Sequence, residues 1–480
     1  MNSATDVLAG FYAEARGLFS ALQKNALGDV ASRHSQMERI INALAEWNPK
    51  DQVFAALAGE IIPLLFTVDV PTGYALFHRR EIIEKVWAIY GSAAPTIAKS
   101  ADVPRLVSRR KKEPFKIACI SSIFSDFIAP AQAMVNFATA LDKADFSPVF
   151  ISTNQFFTHE KRIGENGLGD WNIGLGTELA RAEIPVLTIP GQESISSLSS
   201  KLIGLCAEQE IDIAVSNASV FGFPDACLAI SGATVSFFDL HQGFPLYADG
   251  IDAILHFNSS TRAAQLGPWE ERGGRVLDYC FGVEILTLPD KHPAPNGTVY
   301  LITVSNHLDS RMDGPFCSIV SRLLMEFPQL HYQFVGACDE TLVRSKFPSE
   351  LAERLEFSGA VRDRALLTAY LMNSDIYLNE FPVGGGRSVL EAMAASLPVV
   401  TMRSGDLHVE SLGADFVGED SIIGLEPEKY YGLVKALVLS PSLRRSMGNR
   451  MRMRAENLFD MRKNYRELSE RILNIHCAKL

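Results

Sequence analysis

The chain has few cysteines, and they form no pattern. The seven are odd in number, scattered, and stand mostly within apolar stretches. This usage shows no disulfide framework and no metal-ligand spacing, and it is typical of reduced thiols in a cytoplasmic protein. No uncharged apolar run reaches the ~20 residues that span a bilayer. Because Asp6 and Glu14 interrupt the first apolar stretch and no basic segment precedes it, we also expect no signal peptide.

Net positive charge and metal-binding patterns are missing too. The formal net charge is −11, which argues against a general nucleic-acid binder, although it leaves room for local basic patches. The sequence shows no D-x-D element, and no cluster of histidines and aspartates at a predicted sheet edge, that would indicate a catalytic divalent metal. Positive side chains and a helix start can take that role instead. What remains is an ordinary globular composition, with enough length for two or three domains.

The chain is helical in pattern up to about residue 105. Apolar side chains recur at three- and four-residue steps over 8–22, and similar stripes follow in 37–47, 52–66 and 78–91. This part is either a packed helical bundle or a docking surface for a protein substrate. The basic stretch Arg105–Pro114 is interpreted as a solvated linker.

Strands and helices alternate after Lys116. A first series has strands at 116–121, 147–152, 211–215, 233–238 and 253–257, and helices at 130–141 and 195–209. A second series has strands at 299–304, 332–335, 355–358 and 376–378, helices at 314–327 and 364–372, and final helices over 428–476. The segment Pro289–Gly297, rich in proline, separates the two. An α/β fold follows, with two doubly wound, Rossmann-like domains at 111–288 and 298–480 behind an all-helical domain at 1–110.

The stretch Asp375–Val400 is the most informative about function. A short apolar strand leads into a turn of three glycines, Gly384, Gly385 and Gly386. A helix then opens at Arg387 or Ser388, and a strand at Leu397–Met402 follows. Glycines let the backbone approach a ligand closely, and the free N–H groups of a helix start favour phosphate.

Two charged side chains on this helix extend the pattern. Arg387 adds a cation at the helix start, and Glu391 lies one turn further on the same face, where it can accept hydrogen bonds from sugar hydroxyls. Strand, glycine turn, helix and carboxylate together predict a nucleotide-sugar diphosphate site. The alternative is a turn without a ligand.

The stretch 355–378 (LEFSGAVRDRALLTAYLMNSDIYL) resembles the part of GT-B sugar transferases that meets the donor base after a Gly-x-Val turn. The resemblance implies this role for Val361 and Arg362. It also implies two domains facing a cleft, with the donor on the C-terminal one. The common retaining members carry two glutamates eight positions apart, but Val383 stands where the first would be.

The motif is more similar to the O-GlcNAc transferases and the bacterial adhesin N-glucosyltransferases. The stretch N-P-F-P-F-G-N-T-N-x-x-x-D of the adhesin enzymes is matched by Asn379, Phe381, Pro382, Gly384, Arg387 and Glu391. Arg387 replaces an asparagine, and Glu391 replaces an aspartate. Residues 306–315 (NHLDSRMDGP) resemble N-Q-L-Y-K-I-D-P with one insertion, which places Arg311 at the lysine that meets the donor diphosphate.

The acceptor side rests on two further likenesses. Ser125-Asp126-Phe127 with Pro130 resembles S-D-F-x-x-H-P of O-GlcNAc transferases, and 241–245 (HQGFP) resembles their G-Y-P-G-T-S-G stretch. Asp126 and His241 are therefore catalytic candidates. The alternative for Asp126 is a helix cap or turn residue, and the alternative for His241 is a structural histidine. The family histidine falls at Ala129, so the general base is unassigned.

One more loop is implied in the donor site. In the resemblance, Arg403 and His408 follow the strand after the donor helix and face the sugar and phosphates. For His408 the alternative is a surface histidine.

The resemblance implies a metal-independent, inverting transferase that needs no cofactor beyond its UDP-sugar donor. It would move a hexose or N-acetylhexosamine to a protein side chain. Two alternatives stand: the same fold acting on a cell-envelope glycan or lipid-linked acceptor, and a non-catalytic partner that binds polypeptide.

Overall fold

The structure is a computed structural model of the 480-residue chain. It describes residues 10, 13–14, 17, 30–45, 61–62, 79–101, 114–122, 124–126, 129–153, 173–189, 194–217, 222–240, 245–246, 248–257, 262–280, 282–285, 297–305, 308–312, 314–361, 363–381, 384–403, 412–424 and 426–480. These residues form two compact units. Unit 1 lies within Met1–Tyr279 and Tyr465–Leu480, and unit 2 within Cys280–Asn464. Most of both predicted linkers, 105–114 and 289–297, lies outside the described residues.

A seven-stranded parallel sheet forms the centre of unit 1, in the order β3-β2-β1-β4-β5-β6-β7. Its strands are β1 Phe115–Ser121, β2 Phe146–Ser152, β3 Val186–Thr188, β4 Ile213–Ser216, β5 Ser236–Leu240, β6 Ala253–His256 and β7 Val276–Asp278. All residues of β4, β5 and β6 are buried, because helices cover both faces of a parallel sheet.

The described helices of unit 1 are α1 Val30–Ala45, α2 Arg80–Ser100, α3 Ala129–Ala140, α4 Ile173–Arg181, α5 Ile195–Glu208, α6 Phe223–Ser231 and α7 Arg262–Glu271. All of them except α3 and α4 contribute to one hydrophobic core. α2 packs against α5 and α6, and the ring of Tyr90 meets that of Phe223 edge-on at 5.4 Å. The helices near the N-terminus therefore contribute to the same core as the helices of the sheet.

Unit 2 contains a five-stranded parallel sheet, in the order β10-β9-β8-β11-β12, and a two-stranded sheet, β13-β14. Its strands are β8 Val299–Val304, β9 Leu330–Val335, β10 Leu355–Phe357, β11 Ile376–Leu378, β12 Val399–Val400, β13 Met402–Arg403 and β14 Ile422–Ile423. Its helices are α8 Leu308–Arg311, α9 Gly314–Glu326, α10 Glu340–Arg344, α11 Arg364–Met372, α12 Arg387–Ala394, α13 Leu412–Val417, α14 Pro427–Leu439 and α15 Pro441–Leu458, with 3-10 turns at Ser349–Arg354 and Gly418–Asp420.

The last helix, α16 Met461–Cys477, belongs to unit 1 from Tyr465 onward. The ring of Tyr465 lies 5.6 Å from that of Phe137, and His476 Nδ1 lies 2.9 Å from Ser236 Oγ. The sequence placed this helix with 298–480 because chain continuity was the only guide, whereas side-chain packing joins it to the first sheet. The exact limits of the three predicted domains remain a prediction.

Both predicted doubly wound sheets are present, and α11, β8 and β11 have the predicted bounds. The strand predicted at Leu397–Met402 is divided, since β12 pairs with β11 and β13 pairs with β14. Among the described residues, no helix has the length and apolar character that a membrane crossing requires.

Candidate functional site

The strand order of unit 2 creates a topological switch point between β8 and β11. The chain runs from β8 through β9 to β10 on one side, and then from β11 to β12 on the other. In open parallel sheets, ligands bind at such a point, outside the carboxyl ends of the strands. Ser305 follows β8, and Asn379 and Glu380 follow β11. All three residues are buried at this edge.

The glycine turn, Gly384–Gly386, leads into α12 nearby. Gly386 is the N-cap residue of α12, and it provides no capping side chain. The first N–H groups of a helix have no partner within the helix, so they can bind an anion when no side chain caps them. Of the two predicted helix starts, Arg387 and Ser388, the structure has Arg387.

Asn379 holds the glycine turn in place. Its Oδ1 accepts a hydrogen bond from the Gly385 N–H (2.8 Å), and its Nδ2 donates to Thr401 Oγ1 (3.0 Å). Its backbone N–H donates to the Val400 carbonyl (2.9 Å), and its carbonyl accepts from the Tyr430 hydroxyl (3.0 Å). Because buried polar groups are costly without partners, these bonds tie the turn to β12 and α14.

Close packing within the chain also requires two of the glycines. A Cβ at Gly384 would stand 2.4 Å from Asn379 Nδ2, and a Cβ at Gly385 would stand 2.5 Å from Ser388 Oγ. Gly413 of α13 approaches the same turn, since a Cβ there would lie 2.7 Å from the Gly385 carbonyl oxygen. The packing of the turn itself therefore explains glycine at 384 and 385, independently of any ligand.

Arg387 turns along α12 toward Glu391. Its Nε donates to Glu391 Oε1 (2.8 Å), and Arg364 of α11 also binds this carboxylate. Burial raises the pKa of Glu391, but the charges of Arg364 and Arg387 outweigh burial and lower the pKa below its ordinary value. Glu391 is therefore an ionised carboxylate held by two arginines.

Arg311, the last residue of α8, stands beside Glu380 at the switch point. Its Nη1 lies 3.5 Å from Glu380 Oε1; the Arg311 side chain is 32% exposed, whereas that of Glu380 is 0% exposed. Burial raises the pKa of Glu380, and Arg311 and the Ser305 hydroxyl oppose that rise. A partly exposed guanidinium at this edge can bind a phosphate.

The other residues predicted for the donor site lie on neighbouring segments. Val361 lies between β10 and α11 and is half-buried. Ser388 Oγ accepts a hydrogen bond from the Tyr377 hydroxyl (2.9 Å), and Arg403 of β13 forms an ion pair with Asp415. Arg362 and His408 lie outside the described residues, so the structure places neither.

In unit 1, the predicted catalytic Asp126 caps a helix. Its Oδ1 accepts from the Leu175 N–H (2.8 Å) and its Oδ2 from the Gly174 N–H (3.0 Å), both in the first turn of α4. Asp126 thus caps the start of a helix about 50 positions away and not the helix that follows it, and this role engages both carboxylate oxygens. Ala129 is the first residue of α3. His241 lies outside the described residues, and the catalytic roles of Asp126 and His241 stay predictions.

Sequence reasoning missed Glu380 and Arg364, and it gave Asn379 no role beyond a motif match. The one available signal was Glu380, a charged residue two positions after a buried apolar strand, which is an unusual position for a carboxylate. Nothing local marks Arg364, because its partner lies 27 positions away.

A family comparison agrees with this geometry. Residues 309–422 match the family model described as "Glycosyl transferases group 1", which includes Arg311, the glycine turn and Glu391. The chain therefore carries a group 1 glycosyltransferase domain. No curated protein sequence matches the chain.

Solved structures resemble the chain along most of its length. A variant of the Thermobaculum terrenum O-GlcNAc transferase has a TM-score of 0.54 at 13% identity, covering 100% of this chain and 99% of that one. A glycosyltransferase from Rickettsia africae has a TM-score of 0.56 at 13% identity, and the match covers 76% of this chain and 99% of that one. The pneumococcal O-GlcNAc transferase GtfA, solved with UDP and GlcNAc, has a TM-score of 0.52 at 10% identity, and the match covers 76% of this chain and 100% of that one. The predicted GT-B fold is confirmed.

Proposed function

We propose that the chain uses its group 1 glycosyltransferase domain to move a hexose or N-acetylhexosamine from a UDP-sugar to a protein side chain. The observation that carries the proposal is at the switch point of unit 2. An uncapped helix start and Arg311 both lie there, within the residues that match the family. A nucleotide-sugar transferase needs positive charge where the diphosphate departs, and these groups supply it.

The donor-binding roles follow from the contacts. The N–H groups at the start of α12 bind one phosphate, and Arg311 binds the diphosphate as negative charge develops on it. Glu391, ionised and held by Arg364 and Arg387, accepts hydrogen bonds from the ribose hydroxyls. Val361 and Arg362 meet the base, while Arg403 and His408 face the sugar and phosphates. The reaction uses no metal ion in this proposal, since the cations of the side chains and the helix start neutralise the leaving group.

The choice of donor and of stereochemistry has separate support. The GtfA structure contains UDP and GlcNAc, which makes UDP-GlcNAc the first donor to test. Val383 interrupts the pair of glutamates typical of the retaining enzymes, which favours inversion. The anomeric configuration of the product, read by proton NMR, checks this point.

Donor binding is the first test. Isothermal titration calorimetry with UDP-GlcNAc should show binding by the unmodified protein. Arg311→Ala should weaken binding about 10- to 100-fold, because a hydrogen bond to a charged group contributes about 1.5–3 kcal/mol. Glu391→Ala should weaken it comparably. Arg322→Ala is the matched control, since Arg322 pairs with Glu428 on an exposed helix surface. Equal affinity in all four proteins would contradict the donor-site assignment.

The acceptor is tested separately. The protein is incubated with radiolabelled UDP-GlcNAc and a whole-cell lysate, and label is counted in the protein and lipid fractions. Label in protein supports the proposal, and label in lipid supports the cell-envelope alternative. Donor binding without transfer to either fraction would contradict a protein acceptor and favour a non-catalytic partner.

A further inference from the structure

Glu380 is a buried carboxylate with an incomplete set of partners. Its side chain is 0% exposed, and it follows β11 at the switch point of unit 2. Its Oε1 lies 3.5 Å from Arg311 Nη1, and the backbone N–H of Glu380 and the Ser305 hydroxyl also bond the carboxylate. Its Oε2 has no hydrogen-bond partner within the described part of the chain. An ionised carboxylate in such a place depends strongly on the cation beside it, here Arg311.

Within the described part of the chain, the other titratable groups that interact with Glu380 are neutral. Tyr332 of β9, Tyr377 of β11 and Tyr430 of α14 all interact electrostatically with this carboxylate. Burial raises the pKa of each of these tyrosines well above its ordinary value. They therefore carry no charge at neutral pH, and Arg311 of α8 is the charged group that favours ionised Glu380.

Donor binding changes this balance. The diphosphate of a UDP-sugar carries two negative charges, and the proposed function brings it to Arg311. The Arg311 guanidinium then interacts with the diphosphate as well as with Glu380. The negative charges of the diphosphate also lie near a carboxylate that is buried from water. Both changes disfavour the ionised form of Glu380.

We propose that Glu380 takes up one proton from solvent when the donor diphosphate binds Arg311, so that donor binding is linked to protonation. The carboxylate becomes a neutral acid, and Arg311 is released to the diphosphate. The proton returns to solvent when UDP leaves. Glu380 is in this sense a positioning residue, because it acts on the donor through Arg311. This inference rests on the proposed function of the site.

The linkage has a definite sign. At low pH Glu380 is already protonated, so donor binding does not have to be coupled to taking up a proton. The donor therefore binds more tightly at lower pH. Above the pKa of Glu380 in the free protein, Kd should rise up to tenfold for each unit of pH. UDP-GlcNAc is the suitable probe, because its diphosphate has no free terminal phosphate. UDP has one, and such a group titrates with a pKa of about 6.

Calorimetry can count the proton directly. We would titrate UDP-GlcNAc into the protein at several values between about pH 5.5 and 8.5, in buffers of different ionisation enthalpy. The dependence of the measured heat on the buffer gives the number of protons taken up. We expect uptake that approaches one proton per donor, and a Kd that rises with pH.

Two variants assign the proton to Glu380. Glu380→Gln should abolish the uptake and make Kd independent of pH. Ser305→Ala removes a hydrogen bond that favours the ionised form, so it should shift the rise in Kd to higher pH. Asp225→Asn is the matched control, because Asp225 is also a fully buried acid but lies in unit 1; it should leave the uptake unchanged.

The results distinguish a failure of the proton linkage from a failure of the proposed function. Donor binding without proton uptake overturns the inference and leaves the proposed function standing. Proton uptake that persists in Glu380→Gln also overturns it. No binding of UDP-GlcNAc or of other UDP-sugars at any pH overturns the proposed function itself. If Glu380→Gln does not fold, the proton count of the unmodified protein and the Ser305→Ala profile still decide.

Discussion

At the scale of single residues, Asn379 and Gly385 show how the donor turn is built. One amide side chain bonds the turn to Thr401, and the absence of a Cβ at Gly385 leaves room for Ser388. The turn is therefore held by its neighbours before any ligand arrives. Such preorganisation matters in a site that must stabilise a departing diphosphate, since groups already in place need no rearrangement during the reaction.

Gly385→Ala should disrupt this arrangement. The new Cβ would stand 2.5 Å from Ser388 Oγ, so either the turn or the side chain must move. We expect a loss of about 1–3 kcal/mol in the free energy of unfolding, and at least a tenfold weaker affinity for UDP-GlcNAc. Urea denaturation followed by circular dichroism and calorimetry measure the two effects.

Two further variants control this prediction. Gly432→Ala lies in α14, where no atom of the described residues is within 4 Å of the new Cβ, and it should be neutral or stabilising by about 0.5–1 kcal/mol. Gly385→Ala combined with Ser388→Ala removes the clashing oxygen and should recover part of the affinity. An unaltered Gly385→Ala protein would show that the turn is not constrained as described.

At the scale of elements, Asp126 gives α4 its N-terminal cap. Both carboxylate oxygens accept N–H groups of the first turn, which is a structural role sufficient to explain the residue. The catalytic prediction for Asp126 therefore needs an experiment that separates capping from chemistry.

Asp126→Ala and Asp126→Asn make that separation. Loss of the cap in Asp126→Ala should cost about 0.5–2 kcal/mol of stability, whereas asparagine keeps one accepting oxygen and most of the stability. If the role is capping alone, Asp126→Asn keeps its rate of sugar transfer. A stable Asp126→Asn protein that has lost transfer would instead support the catalytic role.

The predictability of an element depended on its surroundings. α11, β8 and β11 were predicted with their observed bounds, because each has a clear apolar pattern between turn residues. α6 was missed, since its residues 223–228 are all buried and so show no helical period. α7 was missed because Gly267 and Pro268 lie inside it, where such a pair normally indicates a turn.

At the scale of the whole molecule, the two units carry different electrostatic features. Unit 1 contains two fully buried acids, Asp225 and Asp239. Burial raises the pKa of Asp225 to about 7 and that of Asp239 to about 8. Ser216 and Asp239 are paired across β4 and β5, and Ser216 Oγ donates to Asp225 Oδ1 (2.6 Å), so these groups lie on adjoining elements.

The stability of unit 1 should therefore fall as pH rises. An acid whose pKa is higher in the folded state binds more protons in that state than in the unfolded one. Its contribution to the free energy of unfolding is therefore complete below its ordinary pKa of 3.8. That contribution is lost as pH rises through about 7 for Asp225 and about 8 for Asp239. The loss from Asp225 amounts to roughly 4 kcal/mol at most. Asp225→Asn and Asp239→Asn should each flatten the slope between pH 5 and 8.

Tryptophan fluorescence can follow this unfolding within unit 1, because all four tryptophans lie in the stretch 1–279. His476 is a competing group, since burial lowers its pKa and its protonation opposes folding at low pH. Comparing each variant with the unmodified protein at every pH cancels this contribution. A slope that is the same in all three proteins would contradict the prediction.

Local sequence patterns were enough to predict the alternating strands and helices, the glycine turn and the helix start after it. These depend on neighbouring residues, so a short window contains their causes. The contacts between distant residues depend on the tertiary fold: Arg311 with Glu380, 69 positions apart, Arg364 with Glu391, and Asp126 with Leu175, 49 positions apart. Parallel strands bring their carboxyl ends to one edge, so side chains such as Arg311 and Glu380, which lie far apart in the chain, meet there; no short window of sequence contains both members of such a pair.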